Sequence, residues 1–401
     1  MTAQTTNILC RPAAGPHAVR RRGPVVFLSA VQYHLCLSGR TRHLADVLSG
    51  MGTDVHFVQM PSVKAGWMRT FGAELPDRGP SGLHVHHLVA LPKMLLRSPL
   101  ATGLWARAAL DRLSDCVPGL DQAAVIVSTP FWWPLARLLP RRCLIYDCID
   151  HVSVHAGPGR RLLSLYEPWQ KRLMGMSDLI FTVSEGLRDS LIAQSVPPER
   201  VLLAPNGVPE AWLDLDVASL RRSSPARVAG AGRAVIGFLG AMYEWVDLQL
   251  LEALARRMPD ADLVLVGPAR RGVGLTDLKA LPNVRVFGPQ DHADVPRWIA
   301  GFDVCLIPFK PDMVSRLADP VKLYEYLALG KPVVSTLPFK AGADSAPIVA
   351  AQGPDAIAEA IRRELAGDSD ALCRRRRDFA REQTWTMRAR QIVEAIDKIL
   401  R

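Results

Sequence analysis

The segment DPVKLYEYLALGKPVVST, residues 319–336, joins an amphipathic stretch to an apolar run of the kind that forms a buried strand. Asp319 is a preferred N-cap residue and Pro320 suits the first helical position, so we expect a helix to begin there. Gly330 and Pro332 end this helix, because glycine terminates helices and proline does not continue them. The segment therefore predicts a helix that leads into a strand, which is half of the repeating unit of a parallel sheet.

Apolar runs alternate with amphipathic stretches along most of the chain, and they fall into two series. The first series of predicted strands covers residues 24–29, 53–59, 83–88, 123–128, 143–148, 178–184 and 200–205. The second covers residues 234–240, 262–267, 284–288, 303–308, 332–336 and 347–351. Alternating strands and helices form parallel βαβ units, and continuous Val/Ile/Leu runs are typical of strands covered on both faces. We therefore predict an α/β protein with two doubly wound, Rossmann-like domains that face each other across a cleft.

The boundary between the two series is a stretch rich in Ser, Pro, Arg, Gly and Ala that lacks the periodicity of strands. Such a composition is typical of a linker between domains. The predicted organisation is a flexible basic N-terminus (1–22), a first domain (23–205), a linker (206–233), a second domain (234–378) and a C-terminal helix (379–401). That last helix could close the second domain or pack back on the first.

The composition limits the classes of function. The 401 residues carry a formal net charge of +10, which favours a nucleic acid, an anionic membrane or a phosphorylated substrate as partner. The arginines are scattered, without the interleaved aromatic residues of single-strand binding proteins, so nucleic acid is the least favoured partner. The seven cysteines form no CxxC pair, which is typical of reduced thiols in a cytosol.

The sequence contains no apolar run of the ~20 residues that cross a bilayer, and its start lacks the apolar core of a signal peptide. We therefore predict a cytoplasmic protein, with the inner face of the cell membrane as an alternative location. The stretch at residues 91–110 mixes Leu, Met and Trp with Lys93, Arg97 and Arg107. It is compatible with a helix on an anionic bilayer, and also with a core-packed helix whose outer positions are cationic.

The predicted helix after Asp319 carries the clearest candidate site, because ligands of parallel α/β sheets bind beyond strand ends and at helix N-termini. Lys322 and Glu325 are three residues apart and so share one face near the helix start. A helix N-terminus with a lysine attracts a diphosphate, and a carboxylate one turn deeper can accept hydrogen bonds from two sugar hydroxyls. The spacing alone is equally compatible with an ordinary exposed ion pair.

Motifs in both halves resemble those of a known family. In the second half they are PNGV (205–208), GFLG (237–240), LVLVGP (263–268), NVRVFG (283–288), FDVCLIPF (302–309) and PVKLYEYLALGKPVVST (320–336). In the first half they are GRTRHLA (39–45), VSTPFWWP (127–134), YDCIDH (146–151) and SDLIFTVSEGL (177–187). Together they resemble the retaining GT-B glycosyltransferases of the GT4 family, and within it the bacterial teichuronic-acid and exopolysaccharide transferases.

The resemblance implies an enzyme that transfers a hexose from a nucleoside diphosphate sugar, with retention, to a lipid-linked saccharide or polysaccharide. It also implies that Glu325 holds the ribose of the donor. The other predicted donor-binding residues are Lys322, Lys310, Arg316, Gly240, Asp319, Pro320, Val321 and Tyr324. We expect no metal and no cofactor besides the sugar nucleotide, because a helix dipole and lysines can neutralise its diphosphate.

Three departures from the family pattern weaken the catalytic assignment. The first glutamate of the family's acidic pair would fall at position 317, which is Leu317. The usual Arg and Lys after the first strand of the second domain are absent, because GFLG is followed by AMYEW. The candidates to neutralise the diphosphate are therefore Lys310, Arg316 and Lys322. The histidine that many relatives carry in the first domain has no clear counterpart unless His151 takes its place.

Three residues of the first half are the candidate catalytic groups. Asp150 and His151 follow a predicted strand end, where they could face the acceptor, although a simple loop pair would also explain them. Arg40, at the end of a Gly-containing first loop, could meet the donor phosphates across the cleft. Because the leaving diphosphate can itself take the acceptor's proton, the protein's task is positioning and charge stabilisation.

One group of histidines was considered as a metal site. His84, His86 and His87 lie on a predicted strand, and the neighbouring sequence offers them no carboxylate. We therefore expect no metal there, because such sites usually combine histidine with further ligands.

Two other functions stay open. A catalytically silent nucleotide-sugar-binding protein would explain the missing glutamate at Leu317 and the missing Arg and Lys. A nucleotide-sugar 2-epimerase could use the same fold, but it would need several ionisable groups in the first-domain cleft, where only Asp150 and His151 are obvious.

Overall fold

A computed structural model describes residues 23–33, 39–61, 82–155, 162–228, 232–270, 274–341 and 344–401. Within these residues the chain forms a 7-stranded sheet and a 6-stranded sheet, both parallel throughout. Described helices connect most of the successive strands of the two sheets. This confirms the predicted α/β class with two Rossmann-like domains.

The first sheet is built from residues of the first half. Its strands are β1 (Val25–Leu28), β2 (Val55–Val58), β3 (His84–His86), β4 (Ala124–Val127), β5 (Cys143–Cys148), β6 (Leu179–Thr182) and β7 (Val201–Leu203). Their spatial order is β3-β2-β1-β4-β5-β6-β7. The order changes direction between β1 and β4, and such a switch point leaves a crevice at the carboxyl ends of the strands.

The second sheet follows the same plan. The strands of the second half are β8 (Ala234–Leu239), β9 (Ala261–Val266), β10 (Val284–Phe287), β11 (Val304–Ile307), β12 (Val333–Ser335), β13 (Lys340–Ala341), β14 (Asp344–Ser345) and β15 (Val349–Ala350). The sheet order is β10-β9-β8-β11-β12-β15, while β13 and β14 form a small antiparallel hairpin. Every strand predicted from an apolar run is confirmed, with small shifts at the ends.

The described helices pack around these sheets. They are α1 (Arg40–Gly50), α2 (Pro99–Cys116), α3 (Trp133–Ala136), α4 (Val152–His155), α5 (Leu163–Met176), α6 (Glu185–Ala193), α7 (Val217–Arg222), α8 (Pro225–Val228), α9 (Leu248–Arg257), α10 (Thr276–Lys279), α11 (Val295–Ala300), α12 (Met313–Leu317), α13 (Val321–Ala328), α14 (Pro354–Gly367), α15 (Asp370–Arg381) and α16 (Trp385–Ile399). Short 3-10 helices include Lys93–Arg97, Glu210–Asp214 and His292–Asp294. None of these helices is both long and apolar enough to span a membrane.

The first sheet is buried on both faces, as its continuous apolar strands predict. Val26 and Leu28 of β1 belong to one core cluster, and Val25 and Phe27 belong to another. Because successive side chains of a strand point to opposite faces, each face of the sheet has its own core.

The C-terminal helix α16 packs on the first domain. Its residues Trp385, Ala389 and Ile392 share a core cluster with Leu44 and Leu48 of α1. The chain therefore returns from the second sheet to the first before it ends. The predicted domain limits stay predictions.

The stretch at residues 91–110 forms the 3-10 helix Lys93–Arg97 and the first part of α2. The buried side of α2 carries small residues, including Thr102, Ala106 and Ala109. Leu96 is buried, but other large apolar side chains of this region face solvent: Met94 is 83% exposed, Leu100 74% and Leu104 62%. Leu113 of α2 belongs with Ala106 and Ala109 to the core of the first domain, so α2 packs on the core and also exposes apolar side chains.

Candidate donor-binding site

A cavity of about 690 Å³ lies between the two sheets, at the carboxyl ends of their strands. One wall follows β1 and β5 of the first sheet and contains Val31, Gln32, Asp150 and Val154. The other wall follows β8, β9 and β11 of the second sheet. Small-molecule sites typically occupy ~300–1,000 Å³ and lie at such switch points, so the cavity is large enough for a nucleotide.

The first turn of α13 lies in the wall of this cavity. Pro320, Val321 and Lys322 line the cavity, and Glu325 lies one turn deeper. The N-cap residue is Pro320, whose side chain has no hydrogen-bond acceptor. The first amide groups of a helix that lacks such a cap are available to an anion, and the helix dipole favours one.

Asp319 lines the cavity, as expected of a donor-binding residue, but it does not cap α13. It is not the N-cap, because α13 begins one residue later than predicted, at Val321. Its carboxylate accepts hydrogen bonds from the backbone amide of Asn206 (2.6 Å) and from the hydroxyl of Tyr324 (2.7 Å). Burial raises the pKa of Asp319 to about 6, and these hydrogen bonds oppose the shift. Asp319 and Tyr324 thus fasten the start of α13 to the segment between the domains.

Among the described residues of the cavity wall, Lys322 is the one lysine or arginine side chain. Its Nζ lies 4.2 Å from the ring centre of Phe238 and 5.1 Å from that of Phe309. A Cβ on Gly240 would come within 2.5 Å of this Nζ, and Gly240 has a φ of 142° that side chains rarely adopt. Burial lowers the pKa of Lys322 to about 7, although Glu325 opposes the shift. An anion bound beside Lys322 would restore its charge.

Glu325 lies on the same side of α13, as the spacing predicted. Its side chain is 5% exposed, and its Oε1 lies 3.6 Å from Nε2 of His292. That nitrogen is buried and makes no hydrogen bond in the described part of the chain. A ligand hydroxyl between the two groups could satisfy both, because buried polar atoms are normally paired.

His292 was missed by the sequence analysis, although it follows β10 and a strand-end rule would have found it. It belongs to a row of rings drawn from both halves of the molecule. His43 of α1 stacks on Trp385 at 5.1 Å and lies 5.2 Å from His292, which lies 5.4 Å from Trp212. Burial lowers the pKa of His43 to about 3, so its ring is neutral at physiological pH. The row forms an apolar junction beside the cavity.

The other predicted cations lie elsewhere. Lys310 and Arg316 are exposed and do not line the cavity. Their contact with the diphosphate stays a prediction. It would require their long side chains to move when the donor binds. Leu317, at the position of the family's first glutamate, packs against the first domain, where its carbonyl accepts a 2.6 Å hydrogen bond from the Ser184 hydroxyl.

Arg40 does not line the cavity either. It is 4% exposed, and its Nε lies 2.9 Å from the Asp147 carboxylate. Its Nη1 donates to the carbonyl of Pro205 at 3.0 Å, and Arg388 of α16 donates to the same carbonyl at 2.9 Å. These contacts hold Arg40 against the segment at Pro205, where the chain passes from the first domain to the second. A contact of Arg40 with the donor phosphates stays a prediction.

The two groups predicted on the acceptor side separate in the structure. Asp150 lines the cavity, and burial raises the pKa of its carboxyl to about 7. His151 lies beside it in sequence but not in the cavity wall, and its Nδ1 accepts a hydrogen bond from the backbone amide of Ser153 at 3.3 Å. A carboxyl group with a pKa near 7 can exchange protons at neutral pH, so Asp150 is the better candidate acid or base.

Sequence comparison identifies both halves of the chain. Residues 39–212 match the profile of Glycosyltransferase Family 4, and residues 233–366 match that of Glycosyl transferases group 1. The chain is a GT4-type glycosyltransferase. It is 28% identical over 300 residues to a Bacillus subtilis (strain 168) protein named as the teichuronic acid biosynthesis glycosyltransferase TuaH. The match covers 71% of this chain and 74% of that relative.

Solved structures of glycosyltransferases share the fold. A Rickettsia africae glycosyltransferase superposes with a TM-score of 0.68 and 14% identity, over 95% of this chain and 99% of that one. Anabaena HepE, solved in complex with UDP and glucose, gives a TM-score of 0.64 and 16% identity, over 94% and 99% of the two chains. The sucrose-phosphate synthase of Thermosynechococcus elongatus gives 0.69 and 16%, with the same coverage. The glycosyltransferase therefore has the GT-B fold.

Proposed function

We propose that this glycosyltransferase transfers a hexose from a nucleoside diphosphate sugar, with retention of configuration, to a lipid-linked saccharide or a growing polysaccharide. The observation that carries the proposal is the group formed by the α13 N-terminus, Lys322 and Glu325 around one cavity. The binding of UDP and glucose by HepE supports a sugar nucleotide as the donor. The name of TuaH supports a cell-surface polysaccharide as the acceptor.

The geometry suggests how the donor would bind. The first amides of α13 and the Lys322 ammonium would hold the diphosphate, since both attract anions. Glu325, deeper on the same helix, would accept hydrogen bonds from the ribose hydroxyls, and His292 would close the other side of the ribose. The charge on the leaving diphosphate would then develop beside positive groups that are already in position.

Asp150 would contact the acceptor from the opposite wall of the cavity. In a retaining transfer the acceptor approaches from the face that the leaving phosphate occupies, so the phosphate itself can take the acceptor's proton. Asp150 would orient the acceptor hydroxyl and, because its pKa is raised to about 7, could relay its proton. No described residue of the cavity wall supplies the family's first glutamate, so leaving-group stabilisation would carry most of the catalysis.

Incubation with radiolabelled UDP-, GDP- and ADP-hexoses tests the proposal. We expect one donor to be hydrolysed slowly on its own and consumed faster with a lipid-linked acceptor, and NMR of the product to show retained anomeric configuration. Glu325→Ala should weaken binding of that donor by roughly tenfold or more, because it removes charge-assisted hydrogen bonds. Glu359→Ala, at an exposed position of α14, is the matched control and should bind normally.

The position of Leu317 favours a second candidate, a nucleotide-sugar-binding protein without catalysis. The same experiment separates the two. Tight binding of a sugar nucleotide without hydrolysis or transfer would support the binding protein. An inverted product would exclude retention, and unchanged affinity of Glu325→Ala would exclude the ribose contact.

We further propose that the enzyme works on an anionic membrane surface, where a lipid-linked acceptor would be found. The exposed apolar side chains of Met94, Leu100 and Leu104 support this location. Lys93 and Arg97 are exposed beside them. Apolar residues with flanking cations match the chemistry of an anionic bilayer, whose headgroups attract the cations while the acyl region takes up the apolar side chains.

A further inference from the structure

Two histidines and an aspartate meet at the edge of the first sheet, in strands β2 and β3. The register of these parallel strands places His56 directly opposite His84. Asp54 immediately precedes β2, so it lies at the amino ends of the strands. This is the end of the sheet opposite to the donor cavity, which lies at the carboxyl ends. The sequence next to His84 contains no carboxylate. Asp54 comes close to His84 only through the pairing of β2 with β3.

The three side chains direct potential ligand atoms at one point. Nε2 of His56 lies 3.3 Å from Oδ1 of Asp54, and Nε2 of His84 lies 3.9 Å from the same oxygen. All three ligand atoms lie within 4.8 Å of one another. Zinc takes such ligands at about 2.0–2.2 Å, so small rotations of the partly exposed Asp54 and His84 side chains would bring all three into range.

His56 is the most buried of the three residues. It is 1% exposed, and its buried Nε2 has the Asp54 carboxylate as its neighbour at 3.3 Å. Its Nδ1 lies 2.8 Å from Nε2 of His86, so a proton joins these two nitrogens. If His56 supplies that proton in its neutral form, its Nε2 carries a lone pair 3.3 Å from a carboxylate oxygen. Two such electron-rich atoms repel each other unless a cation lies between them.

That arrangement is the one found around metal-bound histidines. A ligating histidine usually donates its second ring N–H to a neighbouring acceptor, which fixes the tautomer and aims the free nitrogen at the ion. His86 would be the acceptor for His56.

We propose that Asp54, His56 and His84 bind a divalent transition-metal ion, with zinc the preferred species, through two imidazole nitrogens and one carboxylate oxygen. Imidazole and carboxylate ligands suit zinc, and water would complete a four-coordinate site. The ion would tie the edge strand β3 to β2 and stabilise the folded state by the free energy of binding. The site lies apart from the donor cavity, so its role is structural.

The test uses the full chain without an affinity tag, freed of metal with a chelator and then dialysed. We expect equilibrium dialysis with elemental analysis to find one zinc ion per chain, and zinc to raise the midpoint of thermal unfolding. Cobalt, as a spectroscopic substitute, should show the visible absorption bands of a tetrahedral site. Each readout is independent of transferase activity.

Asp54→Asn and His84→Gln are the decisive variants, because both side chains are partly exposed and their replacement leaves the core intact. Each should lower zinc affinity by at least about tenfold and remove the thermal shift. Asp260→Asn, at an exposed position outside the cluster, is the matched control and should bind as the parent does. Zinc binding that is unchanged in both variants, or a parent chain that binds none at micromolar zinc, would overturn the proposal and leave an ordinary His–Asp cluster.

Discussion

At the scale of single residues, Lys322 shows how the fold changes the chemistry of a side chain. The spacing of Lys322 and Glu325 was equally compatible with an exposed ion pair and a binding site. The structure places both in the cavity wall, and Lys322 lies over two aromatic rings. Water is thereby excluded from its ammonium, which explains a pKa lowered to about 7.

This pKa predicts a pH-dependent affinity for the donor. A diphosphate favours the charged form of Lys322. Above pH 7 the free protein has lost the proton of Lys322, so Lys322 must take up a proton when the donor binds. Affinity should therefore be constant well below pH 7 and fall by up to about tenfold per pH unit above it. A sugar nucleotide is the right probe for calorimetry, because its esterified phosphates do not titrate in this range.

Lys322→Arg is the informative control, because arginine stays protonated throughout. Its affinity should be flat between pH 6 and 9, and the proton uptake seen in buffers of different ionisation enthalpy should disappear. A parent protein whose affinity is flat across the same range would contradict the prediction.

At the scale of elements, α2 buries one side in the core of the first domain and exposes apolar side chains on the other. It buries small residues such as Ala106 and Ala109, and it leaves Leu100 and Leu104 in solvent. The exposed leucines would stabilise contact with a bilayer by roughly 1.5–3 kcal/mol for each side chain that becomes fully buried.

Replacing Met94 and Leu100 together with Glu should abolish binding to vesicles that contain an anionic phospholipid. The change removes apolar area and adds charges that the lipid headgroups repel. Sedimentation of the protein with vesicles measures the effect, and we expect at least a tenfold loss. Leu372→Glu, at an exposed apolar position of α15, is the control. Equal sedimentation of the parent and the double variant, or equal binding to neutral vesicles, would exclude the proposed membrane surface.

At the scale of the whole molecule, the two domains are joined by a buried polar crossover. Arg40 and Arg388 both donate to the carbonyl of Pro205, and Asp319 accepts from the amide of Asn206. Residues of α1, α16 and the start of α13 thus meet at one point. Helix α13 is therefore connected to the first domain. A change in the crossover would alter the position of α13 at the cavity.

Trp385 tests the contribution of the C-terminal helix to this assembly. It is 1% exposed in the core of the first domain, and it stacks on His43. Trp385→Ala should lower the free energy of unfolding of the first domain by about 3–5 kcal/mol, because it leaves a large cavity. Urea unfolding followed by circular dichroism measures the shift. Met387→Ala, on the exposed side of the same helix, should change it by less than about 0.5 kcal/mol, and equal effects would contradict the prediction.

The sequence by itself determined the fold class and the main donor helix. Strands such as β4 and β11 are continuous apolar runs, as expected for sheets that are covered on both faces. Glu325 and Lys322 could be placed on one side of α13 because helical spacing is a local property.

Tertiary structure alone decided which distant groups meet. His292 opposite Glu325, Arg40 beside Asp147 and Asp54 beside His84 are pairs separated by many residues in the sequence. Such pairs depend on strand order and register, which residue patterns do not encode locally. For the same reason the sequence could not show that α2 exposes Leu100 and Leu104 while it buries Leu113. Which side of a helix is buried depends on the surfaces that the folded chain places next to it.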